Sequence, residues 1–359
     1  MANTINISGF TLNPQEAQTI SEFVFQQMIE QPSLTAIHRV WTGVKMKEQI
    51  AIVNRLGKSG ILDSTCARPV SGAGATVSEK FWEPGNIGDT FINCANDMNG
   101  LFKAYFGQIN SYAQKFNIEG SDLEKLIIAM VEDAMMKATY RVAWLGDKAV
   151  AAAGAATAGL KVAGNAKFYN QIDGLWKQIF AGVTATTIKK VAISENQEDT
   201  LALQLTLAAG KAKTYLDSVW KLANPTLQAN PNAQFLVTGE VYQNYYDYLM
   251  SKGIAYDINL QINGLPVLKY NGRNVINMNT IIDIDLQADF VENTTTNAGY
   301  LPNRIVFTAP ENTPIATLND GDLSTVESFW DQVTRQNYTA YGFTLDAKVV
   351  DEEQIVVAY

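Results

Sequence analysis

Residues 121–147 read SDLEKLIIAMVEDAMMKATYRVAWLGD. Ser121 and Glu124 stand three apart, a capping box in which hydroxyl and carboxylate reciprocally satisfy backbone donors of a first helical turn. Leu123, Ile127, Met130, Val131, Ala134, Met135, Ala138, Val142 and Leu145 then keep one apolar face until Gly146-Asp147 stops the run. At ~1.5 Å per residue this predicts a helix nearly 40 Å long. A helix of that length with a single apolar stripe is a structural axis on which other layers pack.

Upstream the texture differs. Asn13-Pro14-Gln15-Glu16 is an N-cap with Pro at the first helical position, and Ile20, Phe23, Val24 and Met28 recur at helical spacing before Pro32. From Ala51 to about Phe106, Gly57, Gly60, Gly72, Gly74, Gly85 and Gly88 punctuate short β-prone runs. That stretch is long for a loop inside a packed domain. It predicts an extended hairpin that leaves the body and is stabilised by another molecule.

Downstream, Ala149 to Ala166 is a low-complexity Ala/Gly connection. Helical patterns over 168–180 and 201–222 follow, the second broken mildly at Gly210. Phe235-Leu236-Val237-Thr238 predicts a buried strand, Val241 to Met250 a helix, and 265–268 and 275–278 further strands, together an α/β unit. The last 60 or so residues predict strands at 303–308, 340–350 and 354–358, with a short helix over Asp322 to Thr334. Those strands are expected to return to the long helix, which makes the central unit an insertion.

The chain has 359 residues, 47% of them hydrophobic and 18% charged, with 27 Lys and Arg against 36 Asp and Glu, a net charge of -9. This balance excludes intrinsic disorder. It also disfavours a dedicated nucleic-acid binder, because neutralising phosphate needs a basic face. The start, Met1-Ala2-Asn3-Thr4-Ile5, carries no basic-then-apolar secretory pattern, and no window reads as a membrane span, so a reducing cytoplasm is expected.

Side chains for chemistry are few. There is one histidine, His38, in Leu34-Thr35-Ala36-Ile37-His38-Arg39-Val40-Trp41, and any Ser/His/Asp or Cys/His set would need it. A surface or packed histidine is the favoured reading. Gly72-Ala73-Gly74 and Gly154-Ala155-Ala156-Thr157-Ala158-Gly159 lack both the dinucleotide fingerprint and a phosphate-loop ending. The acidic groups Asp283, Asp285, Asp289, Glu292 and Asp346, Asp351, Glu352, Glu353 suit either a two-carboxylate hydrolase or a solvated face, the latter favoured for want of a calcium-loop spacing. Cys66 and Cys94 are expected to be reduced. Lys58, Arg68, Lys80, Phe81 and Trp82 lie on the glycine-rich segment, where large rings without a local core are candidate contacts with a neighbouring subunit. No catalytic, cofactor or metal set is predicted.

The order of these segments resembles the major capsid proteins of tailed bacteriophages with the Hong Kong ninety-seven-like fold. The resemblance rests on Ser121-Asp122-Leu123-Glu124 through Trp144-Leu145-Gly146-Asp147 as the spine helix, on Phe235-Leu236-Val237-Thr238 and Asn263-Gly264-Leu265-Pro266-Val267, and on Asn303-Arg304-Ile305-Val306-Phe307. It implies an α+β fold with an N-terminal arm and helix (1–50), an extended β-hairpin loop (51–115), a peripheral domain with the spine helix (116–150 and 291–359) and an inserted α/β axial domain (151–290). It further implies a non-enzymatic subunit without cofactors that forms the hexamers and pentamers of an icosahedral head shell. Portal, scaffolding and decoration proteins would be its partners, packaged DNA would be touched only non-specifically, and assembly would occur in the host bacterial cytoplasm without a membrane. A soluble α/β enzyme acting through the acidic residues, and another phage lattice protein such as a tail or encapsulating-shell subunit, are the alternatives.

Overall fold

Helix α1 (Asp122–Leu145) spans 24 residues, as the 121–147 pattern predicts. Ile127, Val131, Met135, Ala138, Val142 and Leu145 are buried on the expected face, and near the C-terminal end Thr139, Tyr140, Ala143 and Trp144 are buried as well. The helix therefore begins one-sided and ends enclosed. The computed structural model describes residues 34–53, 61, 77–94, 122–150, 166–253, 261–262, 265–266, 268–293, 297–319 and 326–359. The helix expected near 14–31, the capping Ser121 and most of the Ala/Gly connection lie outside them.

The stop at Gly146 is a packing requirement. Its N–H donates to the Val142 carbonyl at 3.0 Å, and a Cβ here would sit 2.6 Å from Val142 O and 2.7 Å from Ile172 O. Asp147 is fully buried, and its Oδ1 accepts from Lys177 Nζ at 2.5 Å. Lys177 is on α2 (Leu175–Thr184), and Gly174 N–H, just before that helix, donates to Gly146 O at 2.9 Å. The end of α1 and the start of α2 are thus bonded together.

The strands of the two larger sheets and of the hairpin stem, in chain order, are β1 (Val40–Trp41), β2 (Gln49–Val53), β3 (Val77–Phe81), β4 (Gly85–Cys94), β5 (Lys189–Val191), β6 (Gln234–Val237), β7 (Leu268–Tyr270), β8 (Arg273–Asn277), β9 (Ile305–Thr308), β10 (Ile315–Ala316), β11 (Val326–Asp331), β12 (Gln336–Ala347) and β13 (Ile355–Ala358). A six-stranded sheet runs β5-β13-β9-β6-β8-β7. Helices α3 (Lys211–Leu222) and α4 (Gly239–Ser251) belong to this unit, and α5 (Ile284–Asp289) follows it. The predicted mild break at Gly210 is complete. Gly210 sits at φ 77° before α3, and only a short turn, Leu201–Gln204, precedes it.

Strands 303–308 and 354–358 come back to the enclosed end of the long helix, as expected, but within the sheet of the central unit. As β9 and β13 they fill the middle of the six-stranded sheet, β9 lying antiparallel to both β13 and β6. Every residue of β6, β9 and β13 is buried. One face, with Leu236, Val306 and Val357, shares a core with Trp144 and Trp176. The other, with Phe235, Val237, Ile305, Phe307 and Val356, packs with Leu216, Val219 and Val241 of α3 and α4. A strand covered on both faces reads as a plain apolar run, which does not reveal its partner strand.

The second sheet runs β1-β10-β12-β11, with β4 also on β12. Strand β4 pairs antiparallel with β12 from Gly85↔Leu345 to Cys94↔Gln336. Residues 85–94 of the loop expected over 51–115 are therefore built into a sheet. The helix expected over 322–334 is instead strand β11, paired with β12 from Val326↔Tyr341 to Asp331↔Gln336. The Asp331 carboxylate accepts from Val333 N–H and Thr334 Oγ1, and Arg335 takes φ 56°, which turns the chain back sharply.

Candidate assembly surface

Among the described residues, strands β2 and β3 pair only with each other, in register Gln49↔Phe81 to Val53↔Val77, and form a two-stranded stem. At about 3.3 Å per residue the five pairs carry the chain on the order of 17 Å. Its base is closed by Lys47 N–H to Trp82 O at 2.8 Å and Trp82 N–H to Glu48 O at 3.0 Å, with Lys47 at φ 62°.

Trp82 is not an outward contact. It is 1% exposed and packs with Val44, Ala316 and the half-buried Ile50, so its ring roots the hairpin in its own chain. Lys80 is engaged in the same way, donating to Val349 O at 2.6 Å and to Glu352 Oε1 at 3.0 Å. Against the upward pull of burial, hydrogen bonds from Thr187 and Lys80 hold the Glu352 carboxyl below its usual range. Glu83 N–H donates to Asp346 Oδ2 at 2.7 Å, a further tie to the C-terminal segment. Phe81 does face outward, at 46% exposure, and Met46 at 68% and Trp41 at 40% are exposed as well. Arg39 lies over the Trp41 ring at 5.1 Å. Lys58 and Arg68 lie outside the described residues, as do Cys66 and the side chain of Cys94. Sequence reading missed the exposed Trp41 and Met46, which belong to no hairpin pattern.

The carboxylates singled out for chemistry hold the fold together. Asp283 is buried where a π-type turn, Asn279–Asp283, enters α5, and its Oδ2 accepts from Gly239 N–H at 2.5 Å, the first residue of α4. Its Oδ1 has no hydrogen-bond partner. Burial pushes Asp283 up to about 6, against the pull of Gly239 and of the Arg304 charge. Arg304 is itself buried, lying over Trp176 at 4.6 Å and donating to Leu301 O and Tyr300 O, and burial brings it down to about 10. Asp285 lies 3.9 Å from Arg141, and Asp289 accepts from Tyr169 Oη at 2.6 Å. Asp346 pairs with Lys348 at 3.4 Å, and Asp351 caps a turn through Glu353 N–H. Among the described residues no three His, Cys, Asp or Glu gather as metal ligands. The crowded tyrosines are core-directed. Tyr245 is buried with its hydroxyl on Lys269 O, and Tyr242, Tyr246 and Tyr248 pack against the same cluster.

No protein-family model matches the chain, and no curated protein matches it. Among solved structures, a chain of Gordonia phage Cozz aligns over 95% of this chain and 90% of its own, with a TM-score of 0.54 at 9% identity. A chain of the satellite phage P4 procapsid, whose structure includes the size determination protein, aligns over 97% of this chain and 92% of its own, with a TM-score of 0.52 at 12% identity. The chain shares the fold of these two phage chains.

At these identities the likeness is one of topology. It extends across nearly the whole of both chains. No described helix is long and apolar enough to cross a membrane.

Proposed function

We propose that this chain is the major capsid protein of a tailed phage, a structural subunit that self-assembles into hexamers and pentamers of an icosahedral shell around double-stranded DNA. One observation carries the reading: the alignment with a chain of a phage procapsid over 97% of this chain. The rooted hairpin supports it, because Trp82 and Lys80 fix the stem to the body while Phe81, Met46 and Trp41 present apolar surface next to it. Phe81, with Lys58 and Arg68 further along the hairpin, would then meet an adjacent subunit. The arm (1–50), the loop (51–115), a peripheral domain built on α1 and an axial domain around α3 and α4 would divide the lattice contacts. Many modest interfaces sum to a stable shell, the logic of multivalent assembly.

In this reading the subunit is not an enzyme, needs no cofactor, and resides in the virion after assembly in the bacterial cytoplasm. Its partners are copies of itself, a portal, scaffolding and decoration proteins, and DNA held without specific contacts, as the net charge of -9 suits. Light scattering and negative-stain microscopy of the expressed chain test this. Megadalton shells or free capsomers are expected. A small compact oligomer that loses a hydrolytic activity on Asp283→Asn would favour the enzyme alternative.

A further inference from the structure

His38 is the chain's single histidine and is 1% exposed. It closes the helical turn Leu34–Ile37, its N–H donating to Leu34 O at 2.9 Å. Both ring nitrogens have a fixed role. Nδ1 lies 2.7 Å from the Thr313 carbonyl, which only accepts, so Nδ1 carries the hydrogen. Nε2 receives the Trp144 indole N–H at 3.0 Å, so Nε2 offers a lone pair. The neutral ring thereby joins three remote segments: the turn entering β1, the enclosed end of α1, and the loop entering β10.

A proton added to Nε2 would set one N–H donor against another. The Trp144 bond would be lost, with both groups shielded from water and an uncompensated charge in the core. Among the described residues no carboxylate is hydrogen-bonded to the ring. Helix α1 faces it with Tyr140, at 6.4 Å between centroids, and with Trp144 at 5.5 Å. Its own strand adds the cation Arg39, and the turn before Thr313 adds Glu311, which is occupied by Asn232 Nδ2 at 2.9 Å. A proton has a route, because His38, Arg39, Thr35, Gln234 and Glu311 line an open cleft of about 600 Å³.

We propose that His38 is an acid-operated release: protonation of Nε2 breaks its bond to Trp144 and frees residues 34–41 from the end of α1, while the six-stranded sheet stays folded. Burial, opposed in part by the Thr313 carbonyl, lowers His38 to about 4. The folded value lies below the unfolded one near 6.5, so the contribution of this group is complete above about 6.5 and is lost as pH falls toward 4.

Hydrogen exchange on the full chain, read by mass spectrometry, tests this at two places. Exchange at the His38 Cε1–H is expected to titrate near 4, and backbone protection of residues 34–41 to fall about tenfold or more between pH 6.5 and 4 after correction for intrinsic rates. Peptides covering β9 and β13 should keep their protection. His38→Gln, which can accept from Trp144 and donate to Thr313 O but cannot titrate, should abolish the acid step. A Cε1 midpoint near 6.5 in the folded chain, or an unchanged acid step in the Gln variant, overturns the proposal. Should that variant fail to fold, the Cε1 midpoint decides.

Discussion

Asp283 shows how a side chain chosen for its chemistry serves the fold. The carboxylate caps α4 through Gly239, yet its second oxygen is buried without a partner, so the ionised form is poorly accommodated. Its folded value, raised to about 6, lies above the unfolded one, so the stability it adds is full below about 3.9 and is lost as pH rises through 6. Asp283→Asn should therefore gain in melting temperature relative to the parent chain between pH 5 and pH 7.5. A difference that stays constant across that range in thermal scans would count against the assignment. At Gly146 the constraint is steric, since the carbonyl oxygens at 2.6 and 2.7 Å from a built Cβ are backbone atoms and cannot swing aside. Gly146→Ala should cost on the order of 1–3 kcal/mol, seen as a lower urea midpoint. Both Gly146 and the packed His38 were legible in the sequence, one as a helix stop and the other as a histidine without catalytic company. The inward turn of Trp82 was not, because its partners Val44 and Ala316 lie far from it in sequence.

Among elements, α1 was the easiest to read, because a 3.6-residue apolar period over many turns has few alternative explanations. Strand β11 was misread for the opposite reason. Val326-Glu327-Ser328-Phe329-Trp330-Asp331 is too short to separate periods of two and 3.6, and its partner β12 decides the matter through the stacking of Phe329 on Tyr338 at 5.1 Å. The hairpin lends itself to a sharp test. A cut that joins Val53 to Val77 through a short glycine linker keeps Trp82, Lys80 and the base bonds, so the chain should fold with an unchanged melting temperature and yet form no closed shells. Normal particles in negative-stain images would contradict a lattice role for the hairpin.

On the scale of the molecule, the mixed α+β class was legible as an order of segments, whereas the partners of the last strands were not. The strands that close the central sheet come from the end of the chain, and nothing in Ile305-Val306-Phe307 or Ile355-Val356-Val357 names a partner. Association has an electrostatic consequence as well. Each copy carries a net charge of -9, so copies repel at long range while Phe81, Met46 and Trp41 favour contact at short range. Raising salt from about 20 to 500 mM shortens the screening length several-fold and should raise the yield of shells measured by light scattering. A yield that falls with salt would mean that ion pairs, rather than apolar contacts, hold the lattice.

The position of β9 between β6 and β13 also sets a clock. A ribosome making this chain delivers β6 well before β13, which completes the middle of that sheet. The nascent sheet therefore stays unfinished until β13 has left the exit tunnel. Ribosome-bound chains halted before residue 350 should accordingly be digested by a protease faster than chains extended far enough for β13 to clear the tunnel.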